Sequence, residues 1–129
     1  YRLGTTANPH RVTGSVRGVC KFAVVYSHPR SNNVTHKPVP KFKINNRLGG
    51  YYGFYSYDYV ITINPKNCKT IEMFVRTIIH EYTHHTQNLN KYDKLLSKFG
   101  YDEHPLEVEA RETARKYRGH CLESYRKLI

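Results

Sequence analysis

Between Lys69 and about Leu89 the chain carries no Gly or Pro, and its apolar side chains recur at Ile71, Phe74, Val75, Ile78, Ile79 and Tyr82. That spacing predicts an amphipathic helix with one buried face, which the rest of the fold has to cover. Thr70, followed by Glu72 and Met73, is the expected N-cap, and Pro65 stands a turn earlier as a breaker. Inside the helix lies His80-Glu81-Tyr82-Thr83-His84. His80 and His84 fall one turn apart and project from the same face. Two imidazoles so spaced suit one zinc ion, with Glu81 beside them as the base for a water that the metal activates. The bland alternative is a buried helix whose histidines are merely hydrogen-bonded.

A hydrolytic zinc site needs a third protein ligand and leaves its fourth position open. Downstream candidates are Asp93, Asp102, Glu103, His104, Glu107, Glu109 and Glu112. A second helix is expected to begin near Pro105, a favoured first-turn residue, with an apolar stripe through Leu106, Ala110, Ala114, Tyr117, Cys121, Tyr125 and Leu128. At 100° per residue, Glu107 projects roughly 50° from the centre of that stripe and Glu109 roughly 110° away. Glu107 is therefore expected at the rim of the buried face, looking toward the first helix, and Glu109 and Glu112 toward water. Glu107 is the preferred ligand and His104 the best substitute.

These two helices resemble those of gluzincin-type zinc metallopeptidases, the small soluble minigluzincins included, in which the motif helix is followed by one reading Glu-x-x-Ala. Here that segment is Glu107-Val108-Glu109-Ala110. The resemblance implies a zincin-like hydrolase with His80, His84 and Glu107 as zinc ligands and Glu81 as catalytic base. Metzincins are excluded, because Asn90 and Gln87 stand where their third His and their Gly would be. One departure from the gluzincin pattern is Arg111, at the position where many members carry an Asp bonded to a zinc histidine. That role then falls to another group, with Gln87 and Glu109 as candidates. The resemblance covers about Asn45 to Ile129. A related group, the SprT-like proteases, joins a short zincin core to DNA-contacting segments and takes a His as third ligand, which here would be His104.

The charge distribution is uneven. Residues 1 to 57 hold nine Lys or Arg and no acid, and the remainder holds twelve basic and ten acidic groups, so +9 of the net +11 lies in the first part. Such a segment is drawn to a polyanion, nucleic acid above all. The bland alternative is a solvated basic surface. A structural component of a virion or ribonucleoprotein particle, keeping a zincin fold without turnover, is the rival from another class; the intact Glu81 argues against it and Arg111 for it. The abundance of Tyr, Asn and Lys is that expected of an AT-rich genome, a viral one included. Cys20, Cys68 and Cys121 are odd in number and lack a C-x-x-C pairing, which suits reduced thiols in a cytoplasmic, intracellular protein. No apolar run approaches the roughly 18 residues of a membrane span, and no secretory h-region is seen. Because it starts at Tyr1 and not Met, the chain is expected to be a processed product or an excised piece.

The expected fold is α+β: a basic, largely irregular arm over residues 1–40, then a small zincin-like domain over 41–129 with a short three-stranded sheet. Strands are expected at Val19 to Tyr26, Lys41 to Asn45 and Tyr57 to Asn64, with a Gly-rich turn at Asn46 to Gly53. In zinc peptidases the strand before the motif helix is an edge strand that pairs with an extended substrate. The aromatic cluster Tyr51, Tyr52, Phe54, Tyr55, Tyr57 and Tyr59 reads as strand core and cleft wall rather than a base-stacking platform, since Lys and Arg are not interleaved there. His85 points about 100° from the ligand direction, toward solvent or the surroundings of the metal. His10, His28, His36 and His120 lack ligand-like spacing. Hydrolysis of a peptide or protein substrate would have Glu81 take the proton of water and pass it to the departing amine, with Tyr92, Tyr101 and His104 as unranked oxyanion donors.

Overall fold

The computed structural model describes residues 38–47, 49–56 and 58–126, with side chains to residue 123. The expected strand Val19 to Tyr26, most of the basic arm and Tyr57 lie outside the described residues. Six elements follow in order: β1 (Lys41–Ile44), β2 (Gly53–Ser56), β3 (Val60–Ile63), α1 (Ile71–Thr86), α2 (Tyr92–Phe99) and α3 (Pro105–Arg126). The architecture is α+β, a mixed three-stranded sheet covered by helices.

The strand before the motif helix is not an edge. β3 is central in the order β1-β3-β2, parallel to β1 and antiparallel to β2. Its sequence, Val-Ile-Thr-Ile, explains the position: β-branched side chains suit a strand buried on both sides. Ile61 and Ile63 are fully buried and Thr62 nearly so. The edge beside the helices is β2, drawn from the aromatic cluster and read from the sequence as the end of a turn and the wall of a cleft. Gly53 permits its close docking, since a Cβ there would sit 2.6 Å from the Thr62 carbonyl oxygen and 3.1 Å from Thr77 Cγ2. The loop from β1 to β2 crosses the end of β3 and is held by Asn64, whose side chain donates to the Tyr51 carbonyl, and by Asn67, which donates to the carbonyls of Gly49 and Tyr51. Tyr59 turns the chain from β2 to β3 with a left-handed φ of 66° and donates its N–H to the Ser56 carbonyl.

α1 starts as its sequence requires. The Thr70 hydroxyl accepts the Met73 N–H, and the apolar stripe Ile71, Phe74, Val75, Ile78, Ile79 and Tyr82 is buried. It packs on Ile61 and Ile63 on one side, and on Ala114, Cys121 and Leu122 of α3 on the other. Each such side chain contributes about 1.5–3 kcal/mol on full burial. Glu107 meets His80 and His84 at one end of the pair, and Arg118 meets Glu72 at the other, so α1 and α3 run antiparallel. No described helix is long and apolar enough to cross a membrane. Cys68 and Cys121 are free, buried thiols, and burial pushes the Cys121 thiol up to about 11.

Candidate metal centre

His80, Glu81 and His84 bring potential ligand atoms within 4.8 Å of one another on α1. From α3, the Glu107 carboxylate reaches both imidazoles: its oxygens lie 3.0 Å from His80 Nε2 and 3.2 Å from His84 Nε2. Glu107 is buried while Glu109 and Glu112 are exposed, as the helical-face argument expects. Tetrahedral zinc with ligands at about 2.0–2.2 Å sets its ligand atoms about 3.3–3.5 Å apart. The two separations that Glu107 makes with the imidazoles would have to open by only a few tenths of an ångström to match, and the histidine ligand atoms lie within 4.8 Å of each other. The donor set, two imidazoles and one carboxylate, is one that zinc accepts in hydrolytic sites.

The hydrogen bonds around His84 fix its tautomer. Gln87 ends α1, and its amide nitrogen donates to the Leu106 carbonyl (2.9 Å) and to Glu109 Oε1 (2.7 Å). Both amide hydrogens are thereby used, so the Gln87 oxygen, 2.8 Å from His84 Nδ1, accepts a hydrogen from that ring. His84 Nε2 is then the nitrogen that faces Glu107: it donates to the carboxylate when the ring is protonated and is the one with a lone pair to offer a metal when the ring is neutral. Gln87 and Glu109, the two substitutes suggested by the sequence, act in series. Arg111 does other work: it donates to the Asp102 carbonyl and lies 5.7 Å over the Tyr101 ring, tying down the loop before α3.

His104 is excluded as a ligand in this arrangement. It directly precedes Pro105 and caps α3, its Nδ1 accepting the Leu106 N–H at 3.1 Å. Nε2 therefore carries the hydrogen and donates to the Tyr92 carbonyl at 3.0 Å, so no lone pair remains for a metal. It is fully buried and its ring stacks on Tyr92, with centroids 4.2 Å apart. Tyr92, thus supported, donates its hydroxyl to Glu107 Oε2 at 2.5 Å. Tyr92 lies on α2, a helix that was not expected from sequence, where the whole segment between the motif helix and Pro105 reads as loop. Of the two placements expected for His85, facing solvent does not hold: it is buried. Tyr55, Tyr59 and Tyr82 surround it, and the Tyr55 hydroxyl lies 2.9 Å from its Nδ1.

Burial works against charge on Glu107, but hydrogen bonds from His80, His84 and Tyr92 outweigh it and hold the carboxyl far below the usual carboxylate range. His84 would be pushed down by burial, yet the hydrogen bond and charge of Glu107 raise it. Glu81 is the opposite case. Burial raises its carboxyl and Glu107 adds to the rise, with His80 and His84 opposing. Of two neighbouring carboxyls, one is held firmly ionised and the other is made more basic, the division expected of a ligand and a proton acceptor.

A cavity of about 330 Å³ opens on the site, walled by Tyr51, by β2 at Gly53 and Phe54, and by Tyr92 and Tyr101 opposite. Burial raises the Tyr101 hydroxyl to about 12, with Glu107 adding to it, so it is a neutral donor at physiological pH. Comparison with family profiles, with curated proteins and with solved structures finds no match to this chain.

Proposed function

We propose that the chain is a zinc-dependent peptidase. The observation that carries this reading is the convergence of His80 Nε2, His84 Nε2 and the Glu107 carboxylate at 3.0–3.2 Å in the wall of an open cavity, with the Glu81 carboxylate next to them. His80, His84 and Glu107 would hold the ion. Glu81 comes within 4.8 Å of the histidine ligand atoms, whereas Glu107 already lies near ligand separation from both imidazoles. Glu107 is therefore the better ligand and Glu81 the better base. Bound zinc supplies Lewis acidity, which polarises a carbonyl and acidifies water. Glu81 accepts the proton of the attacking water and returns it to the departing amine. Its raised proton affinity suits that shuttle at neutral pH. Tyr101, which lines the cavity beside His80 and Glu81, donates to the developing oxyanion. His104 is less suited because it caps α3; both tyrosines hydrogen-bond Glu107, but Tyr92 is bound tightly at 2.5 Å and is the less exposed, which leaves Tyr101 as the better donor.

The test compares the parent with Glu81→Gln for zinc content and for cleavage of unstructured protein substrates. The variant should bind zinc as the parent does and lose hydrolysis by several orders of magnitude. Equal cleavage by both would remove Glu81 from the reaction.

The acid-free stretch 1–57 adds a second partner to this reading, a polyanion such as nucleic acid. Its affinity should fall steeply with added salt; affinity insensitive to salt would refute it.

A further inference from the structure

The stripes that carry the metal-site residues continue along both helices as arginine. On α1, Arg76 precedes His80 by one turn; on α3, Arg111, Arg115 and Arg118 follow Glu107 along the same side. Because the helices are antiparallel, the four guanidinium groups lie to one side of the site. They line a second cavity of about 550 Å³ that shares Tyr51, Gly53, His80, Glu81 and Tyr101 with the first. Among the described residues, its lining carries two carboxylates, Glu81 and Glu112. Arg115 pairs with Glu112 and Arg118 with Glu72, both as exposed or half-exposed pairs of the kind worth little in water, and Arg111 spends one donor on the Asp102 carbonyl. Arg76 makes no ion pair with any described residue.

We propose that this pocket selects an acidic peptide substrate, seating a carboxylate of an extended segment whose cleaved peptide bond, a few residues away, lies at His80, Glu81 and Glu107. The inference rests on the peptidase reading and names its substrate class. Guanidinium groups take carboxylates in paired, directional hydrogen bonds, and several in one concave site give charge selectivity as well. The occupant is a peptide rather than nucleic acid because the adjoining cavity at His80, Glu81 and Glu107 is walled by β2 at Gly53, Phe54 and Tyr55, and the arginine-lined cavity continues from it past Gly53. Among the described residues β2 pairs only with β3, so its other edge offers backbone N–H and C=O groups to an extended chain. The spacing can be worked out. At 1.5 Å per helical residue, Arg76 and Arg111 lie about 6 Å along the axis from His80 and Glu107, and Arg118 about 16 Å. An extended peptide advances about 3.4 Å per residue, so the acidic residue falls roughly two to five positions from the cleaved bond.

The test uses labelled octapeptides carrying Glu or Gln at single positions, with binding measured by anisotropy on the zinc-supplied Glu81→Gln chain and cleavage measured on the parent. A Glu peptide should bind at least tenfold tighter than its Gln counterpart. Arg76→Gln with Arg115→Gln should abolish that preference, and added salt should weaken it. Arg115→Gln alone, at an exposed position, should reduce the preference without affecting folding. Equal binding of Glu and Gln peptides, or a preference untouched by the arginine variants, overturns the inference. So does displacement of the Glu peptide by a single-stranded oligonucleotide that binds more tightly and depends on the same arginines. Preferential binding without any cleavage by the parent would remove the hydrolytic reading and leave the acidic pocket. Cleavage without acidic preference would do the reverse.

Discussion

Replacing Gln87 by Met keeps the volume of a buried side chain and removes its hydrogen bonds. In the parent the Gln87 oxygen accepts from His84 Nδ1 at 2.8 Å, while its amide nitrogen joins the Leu106 carbonyl and Glu109. Gln87→Met leaves the buried His84 imidazole N–H without its acceptor, a loss of about 1–3 kcal/mol for a buried group. His84 also loses the contact that fixes its tautomer, and loss of such a support lowers metal affinity about 10- to 100-fold. That corresponds to roughly 1.4–2.7 kcal/mol. The assay is a zinc titration in competition with a chromophoric chelator, with circular dichroism to show that the helices are intact. Gln87→Met should bind zinc 10- to 100-fold more weakly than the parent. A dissociation constant within twofold of the parent's, on a folded protein, would refute the role assigned to Gln87.

Gly53→Ala forces a Cβ to within 2.6 Å of the Thr62 carbonyl oxygen, a backbone atom that cannot swing aside. It should cost about 1–3 kcal/mol, read as a lower melting temperature; an unchanged melt would contradict the close docking of β2. Phe74→Ala empties a fully buried position between the sheet and α3 and should cost about 3–5 kcal/mol in denaturant unfolding. Tyr101→Phe should leave zinc content unchanged and lower kcat about 100-fold or more, as expected for loss of an oxyanion donor; undiminished kcat would transfer that role elsewhere. Cys121, with its thiol raised to about 11, should be alkylated slowly at pH 8 in the folded chain and readily in urea, read by mass spectrometry; rapid native labelling would contradict its burial.

Both long helices were legible because their signals are local. The uninterrupted apolar period and Thr70 mark α1, and Pro105 with the stripe from Leu106 marks α3. The same period separates Glu107 from Glu109, so the burial of one and exposure of the other follow from 100° per residue. What the sequence hid is set by pairing between distant segments. β3 follows Tyr59 and leads toward α1, but nothing local says that β1 and β2 flank it. β2 was obscured because Gly53, read as a turn residue, serves as a close-contact position inside a strand. α2 was missed because Tyr92–Phe99 spans barely two turns, has no side-chain N-cap and buries none of its residues, so its amphipathic pattern is too short to stand out. His104 and His85 show a different limit: their hydrogen-bond partners, Leu106 with Tyr92 and Tyr55, are fixed only by tertiary packing. Gln87 was legible as a candidate partner of a zinc histidine only because Arg111 had displaced the expected one.

The central claim is a metal site built from two residues of α1 and one of α3. Its most direct test is the zinc content of the chain after dialysis against excess zinc and then metal-free buffer, measured for the parent, Glu107→Ala and His104→Ala. One zinc per parent chain, lost in Glu107→Ala and retained in a folded His104→Ala, is the predicted result. A parent that holds no zinc, or a Glu107→Ala variant that keeps a full equivalent, would contradict it.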